Sequence, residues 1–164
     1  MNSERRLEGL SLKVGPLGES DRLLTILTDK EGITRLAVPG ARRPNSRLAS
    51  ASPLKLLDLH IGGYSKLKKV RHVNVLRSFS KIGGRLETLA AAQTIAELSL
   101  ILVATNDPIP GILSTVLIHL ERLEALDSNK QYDSKTTLAK SIQSCIHLLA
   151  LGGYGLPIQR CCRS

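Results

Sequence analysis

Over the first half of the chain, apolar residues come in short runs that alternate with polar ones and are cut by glycine and proline. Leu7 to Val14 alternates loosely and predicts a strand, with Gly15-Pro16-Leu17-Gly18 as its break. Arg22 to Thr28 is rich in apolar and β-branched residues and predicts a second strand. Asp29-Lys30-Glu31-Gly32 is a turn, with glycine where a positive φ is expected, and Ile33 to Val38 is the return strand. Pro39-Gly40 ends the hairpin. Leu54 to Ile61 is the next strand, Gly62-Gly63-Tyr64-Ser65 turns the chain, and Leu67 to Leu76 returns. Five short strands in about 75 residues predict a small barrel or sandwich.

After Lys81-Ile82-Gly83-Gly84 the period changes. Leu86, Leu89, Ala92, Ile95, Leu98 and Leu102 recur every three or four residues, which predicts a helix buried along that line. Asn106-Asp107-Pro108-Ile109-Pro110 stops it. A second helix is expected from about Gly111 to Leu126. After a polar loop from Asp127 to Asp133, Ser134 is placed to cap a third helix. Its expected buried face is Leu138, Ile142, Cys145 and Leu149, and Gly152-Gly153 closes it. The fold class is α+β. Gly83-Gly84 is the boundary between a strand domain, residues 1–80, and a helical domain, residues 84–164. No internal repeat or low-complexity tract interrupts this order.

Charge follows the same division. Residues 1–80 hold 15 Lys/Arg against 7 Asp/Glu, whereas residues 81–164 hold 8 against 7, so nearly all of the net +9 sits on the strand half. A basic sheet module joined to a neutral helical one points to a polyanion on one surface and a protein on another. The 164 residues include one Phe, three Tyr and no Trp, so base stacking has little to work with and phosphate contacts must dominate. No apolar run reaches the ~18–20 residues that span a bilayer, and the N-terminus lacks the apolar stretch of a signal peptide. Three cysteines, an odd number, fit a reducing compartment, and a cytoplasmic, nucleoid-associated location is expected.

Two constellations carry chemistry. The loop Gly40-Ala41-Arg42-Arg43-Pro44-Asn45-Ser46-Arg47 places three guanidiniums within six residues, and such forks match phosphate oxygens bidentately. A solvated charged loop is the plainer alternative. The second is Lys66, Lys68, Lys69 and Arg71, where strand alternation sets Lys69 and Arg71 on one face and Lys66 and Lys68 on the other. Lysines at a sheet edge also serve simply to block aggregation. Arg22 and Arg35 are further candidates whose strand faces the sequence leaves open. Cys145 reads as a small core residue. His60, His72, His119 and His147 show no ligand or catalytic spacing. Glu97 reads as a partly buried polar anchor in its helix. Phosphate-loop, nucleophile-elbow and zinc-protease motifs are absent, so no catalytic residue is assigned and an enzyme is not expected.

The order of several short motifs resembles the bacterial recombination mediator family RecO. They are Gly18-Glu19-Ser20-Asp21-Arg22-Leu23 before Thr25-Ile26-Leu27-Thr28, then Glu31-Gly32, then Gly40-Ala41-Arg42-Arg43-Pro44-x-Ser46. Pro53-Leu54 leading into Leu57-Asp58-Leu59 follows, and Ala90-Ala91-Ala92 leads to Ala96-Glu97-Leu98. The resemblance implies an N-terminal five-stranded OB-fold barrel and a helical domain interrupted by a zinc module. It implies binding of single- and double-stranded DNA, strand annealing, contact with the C-terminal tail of single-strand binding protein, and RecA loading together with RecR. The chain departs from the pattern at Cys161-Cys162: a Cys-x-x-Cys-Gly motif would need cysteine at position 164, where Ser164 stands. No zinc or other cofactor is therefore expected here, and Cys161 is the one plausible remnant metal ligand. The helical domain is expected to be incomplete, with an exposed apolar patch around residues 86–102 or 138–149.

The expected function is a non-enzymatic DNA-binding mediator of recombinational repair. Phosphate contacts come from Arg42, Arg43 and Arg47, assisted by Lys66, Lys68, Lys69 and Arg71, with Arg22 and Arg35 behind them. Two other readings remain open: an RNA-binding barrel of translation or ribosome assembly, and a protein-interaction adaptor whose charge serves only solubility.

Overall fold

A computed structural model of the chain describes residues 4–63, 66–127 and 133–155. Strands β1 (Arg5–Leu17), β2 (Asp21–Thr28), β3 (Gly32–Val38), β4 (Lys55–Gly62) and β5 (Lys68–Ser78) close into a barrel in the order β1-β2-β3-β5-β4. All pairings are antiparallel except β3 with β5, whose short parallel ladder pairs Leu36 with Lys68 and Ala37 with Lys69. Alternation sends Leu24, Ile26, Leu36, Val38, Leu57, Leu59 and Ile61 into the barrel, where each is fully buried. This is the small five-stranded OB-type barrel expected, with a helical layer after it.

β1 does not break at Gly15. It runs on to Leu17, and Pro16 sits opposite Arg22. Pairing with β4 ends at Leu10, so the later half of β1 has one free edge, where a missing N–H is tolerated. The break comes instead at Gly18, with φ of 60°.

The outer face of β1, β2 and β3 carries residues in cross-strand rows. Leu10, Leu27 and Ile33 pair across the three strands and form an apolar row. Helices α1 (Leu86–Leu102), α2 (Ile112–Asp127) and α3 (Ser134–Leu151) cover it, so barrel and helices share one core with Phe79, Ile95, Ile112, Val116 and Leu148. The β2–β3 turn is stitched to the segment after α1. Ile33 N–H donates to Ala104 O (3.1 Å) and Asn106 N–H to Glu31 O (2.8 Å). Gly32, at φ of 64°, lies between them, and a Cβ there would stand 2.4 Å from Ala104 O.

The helices form where expected, but the faces they bury match the expected ones only in part. α1 carries apolar residues on every side, so periodicity alone does not choose a face. Its buried line is Thr88, Ala91, Ala92, Ile95, Ala96 and Ser99, mostly small residues that let the helix approach closely; Ala92 and Ile95 are on the expected line, while Leu86 is 78% exposed. α3 buries Thr137, Ser144 and Leu148, and the expected face residues Leu138 and Ile142 point to solvent. Its cap is Asp133, whose carboxylate accepts from Lys135 N–H (3.1 Å); Ser134 is the first helical residue. An exposed apolar strip along α3, continuing to Ile146, is thus part of the molecule.

Candidate nucleic-acid interface

The basic loop between β3 and β4 is anchored at its root by Asp21, the first residue of β2. The Asp21 carboxylate accepts from Gly40 N–H (2.8 Å) and from the Ser20 hydroxyl (3.0 Å). These hydrogen bonds, Gly40's first, hold its pKa below the ordinary carboxylate value, and the charges of Arg43 and Lys69 add to the effect. Arg42 N–H donates to Ser20 O (3.0 Å), and its guanidinium reaches Gly18 O (3.3 Å). Ser46 then accepts from Leu48 N–H (3.3 Å) and caps a 3-10 turn over Arg47–Ser50. The loop is therefore tied to the start of β2 at its root and capped by Ser46 at its far end, and Arg42, Arg43 and Arg47 are exposed along it.

Other candidates gather beside it. Arg22 is half-buried and shares with Arg42 a shallow cleft floored by Val14, Gly15, Pro16 and Pro53. Lys69 stands next to Ala37 on the parallel ladder and senses the same Asp21 carboxylate as Arg43. Lys68 donates its ammonium to Gly63 O (2.7 Å), which ties it to the β4–β5 connection. Lys66 is exposed just before β5. A register shift sets Ile61 opposite Val70 and His60 opposite His72, so Arg71 falls out of the simple alternation with Lys69. Arg35 lies elsewhere, in a row with Lys13 and Thr25 on the outer face of β1–β3.

Ion pairing separates the cations of the barrel half. Arg5 pairs with Glu31, Arg6 with Asp58, and Arg77 with Glu121 and Glu124. Arg6 lowers the Asp58 pKa, chiefly by direct hydrogen bonding. None of the nine candidate cations is in an ion pair among the described residues, and neither is Lys13. Lys13 escaped sequence reasoning, although its place on β1 opposite Thr25 was readable once the strand register was known.

Histidines far apart in sequence meet in pairs. His119 Nε2 and His147 Nδ1 are 3.1 Å apart between α2 and α3, and the His60 and His72 rings meet edge-on across β4 and β5. Burial, then the neighbouring His147, Arg122 and Lys140, pushes the His119 pKa below the ordinary histidine value. Glu97 is exposed rather than partly buried. Among the described residues, no cluster of three or more His, Cys, Asp or Glu is placed to hold a metal ion, and Cys161 lies outside them, as do Cys162, Tyr64 and Ser65. No helix among them is long and apolar enough to cross a membrane.

A closed five-stranded barrel with a basic rim, backed by helices that share its core, defines an OB-type barrel module joined to a helical domain. The chain belongs to the recombination protein O family: residues 1–79 match its N-terminal model and residues 84–164 its C-terminal model. It is 66% identical over 164 residues to the DNA repair protein RecO of Prochlorococcus marinus strain MIT 9303, covering 100% of this chain and 61% of the relative. It is 59% identical over 174 residues to that of Synechococcus sp. strain CC9311, covering 100% and 64%. Against that of Nostoc sp. strain PCC 7120 it is 32% identical over 163 residues, covering 99% and 54%. The chain thus spans between 54% and 64% of the length of these relatives.

Proposed function

We propose that this chain binds DNA in recombinational repair, through phosphate contacts made by the basic rim of its barrel. One observation carries the reading. Arg5, Arg6 and Arg77 are neutralised by carboxylates, while Arg42, Arg43 and Lys69 converge on one end of the barrel without ion-pair partners among the described residues. Cations left unpaired on a fixed loop are ready for phosphate oxygens at little ordering cost. Arg22, Arg47, Lys66, Lys68 and Arg71 extend the same surface.

The mechanism needs no covalent step. A basic surface lowers the repulsion between two strands, so complementary strands meet and pair. Backbone contacts carry no sequence information, and with four aromatics in the whole chain little base readout is expected. The name of the relatives, DNA repair protein RecO, supports placing this activity in repair. Partnership with RecR, RecA and the tail of single-strand binding protein is the finer part of the proposal, and the nearly neutral helical half is the surface available for it.

Fluorescence anisotropy of a labelled single strand across a salt series tests the reading. The slope of log affinity against log salt is about −0.7 per phosphate neutralised on a single strand. The R42A/R43A/R47A variant is expected to flatten the parent slope by about 2. Parent binding that ignores salt, or a variant with the parent slope, removes the loop from the interface.

A further inference from the structure

The row Lys13–Thr25–Arg35 does not lie on open surface. It forms one wall of a groove of about 490 Å³ whose other wall is α1 and the segment after it, including Glu97, Leu100, Ile101 and Thr105. That volume is within the range of clefts that take small ligands. The width is set by backbone, since Ile33 and Asn106 are hydrogen-bonded across the junction and Gly32 admits no side chain there. Lys13, Arg35 and Glu97 are all exposed, and none is in an ion pair among the described residues. Ile101 is 78% exposed.

The groove continues the basic rim. On β3, Arg35 is two residues from Ala37, which pairs with Lys69. Two residues along a strand span about 7 Å, a short step for a strand that leaves the rim. Gly15, Leu23 and Ala37 form the row between and carry no charge to interrupt the path.

We propose that this groove holds one nucleotide of a bound single strand, with its phosphate on Lys13 and Arg35 and its base between Ile101 and the Glu97 carboxylate. The proposal rests on the DNA-binding reading above and extends it from the barrel rim to the barrel–helix junction. The two cations supply the phosphate contact. Ile101 gives the base face an apolar cover in a chain with few aromatics. Glu97 repels phosphate but accepts from an exocyclic amine, which cytosine presents and thymine does not. The groove therefore favours cytosine over thymine at one position of an otherwise indifferent interface.

Equal-length oligo-dC and oligo-dT strands, each titrated across a salt series, test this with the parent, K13A/R35A, E97Q and the loop variant R42A/R43A/R47A. K13A/R35A is expected to flatten the slope by about 0.7, one phosphate's worth. The parent is expected to bind oligo-dC about tenfold tighter, the ratio for one charge-assisted hydrogen bond. E97Q, whose amide serves either base, is expected to erase that preference and leave the slope unchanged. Circular dichroism of each variant checks that it is folded. A parental slope in K13A/R35A, or a base preference that survives E97Q, overturns the groove while a flattened loop variant keeps the basic rim. Loss of salt dependence in the parent overturns both.

Discussion

The barrel and the helical layer solve the burial problem differently. The closed sheet leaves free only one edge of the later half of β1, and its interior is complete within residues 7–70. The helical layer has no such closure. Its core is completed by the apolar row Leu10–Leu27–Ile33 on the barrel's outside, and the far side of α3 is covered by nothing among the described residues. The barrel can therefore spend its outer surface on charge, whereas the helices depend on that surface to stay packed. The shared core also places α1 beside the basic row of the same sheet, so the interface proposed for DNA and the junction that holds the molecule together are neighbours.

Truncating the barrel interior tests its independence most severely. Leu59 is fully buried on β4. Leu59→Ala is expected to lower stability by about 2–5 kcal/mol, a core truncation that leaves a cavity, read from chemical denaturation. A loss under 1 kcal/mol would mean that the barrel relaxes freely and is less closed than its ladders indicate.

The junction comes next. Gly32→Ala would put a methyl group against Ala104 O at a positive φ. The expected cost is about 1–3 kcal/mol from backbone strain, with two separate unfolding transitions if the helices detach before the barrel melts. A single transition at the parental midpoint would show that the stitch between turn and helices is dispensable.

Acid should act on the helical side through His119. Its folded pKa is depressed, mainly by burial, so the unfolded chain binds the proton more readily. Stability is then retained above the ordinary histidine range near ~6.5 and falls as pH drops through it. The thermal midpoint of the parent is expected to fall more between pH 7.5 and 5.5 than that of His119→Gln. Equal falls would assign the acid sensitivity elsewhere. Asp21 and Asp58 lie on the barrel with lowered pKa values, and their contribution is lost only at lower pH, below the ordinary carboxylate range.

The same comparison explains what the sequence made legible. In β2 and β3, period-two alternation against a closed interior admits one register, so both strands and the turn at Gly32 were readable from residues alone. The face of α1 was legible only in part: Ala92 and Ile95 lie on the expected line and are buried, Leu89, Leu98 and Leu102 pack at its margin, and Leu86 is exposed, because apolar residues on the other sides blur the period. In α3, Thr137 and Ser144 occupy the buried line that a hydrophobic count passes over; Ser144 satisfies its hydroxyl on Lys140 O (2.7 Å). The basic loop was legible as a cluster of charge. Its anchoring by Asp21, the alignment of Arg35 with Lys13 and the pairing of the histidines were not, because each depends on contacts between segments distant in sequence.

The outer side of α3 gives the smallest expected effect. Ile142 is 51% exposed between Leu138 and Ile146, and an apolar side chain in water contributes little to the folded state. Ile142→Ser should change stability by no more than about 0.5 kcal/mol, as for other surface substitutions. It should nonetheless reduce binding of an apolar-surface dye and weaken any concentration-dependent association seen by sedimentation, since contiguous exposed apolar residues are what such probes detect. A loss above about 1 kcal/mol would instead show that this face is packed in solution. The helical layer would then be closed like the barrel, and the contrast between the two halves would fail at the point where it is sharpest.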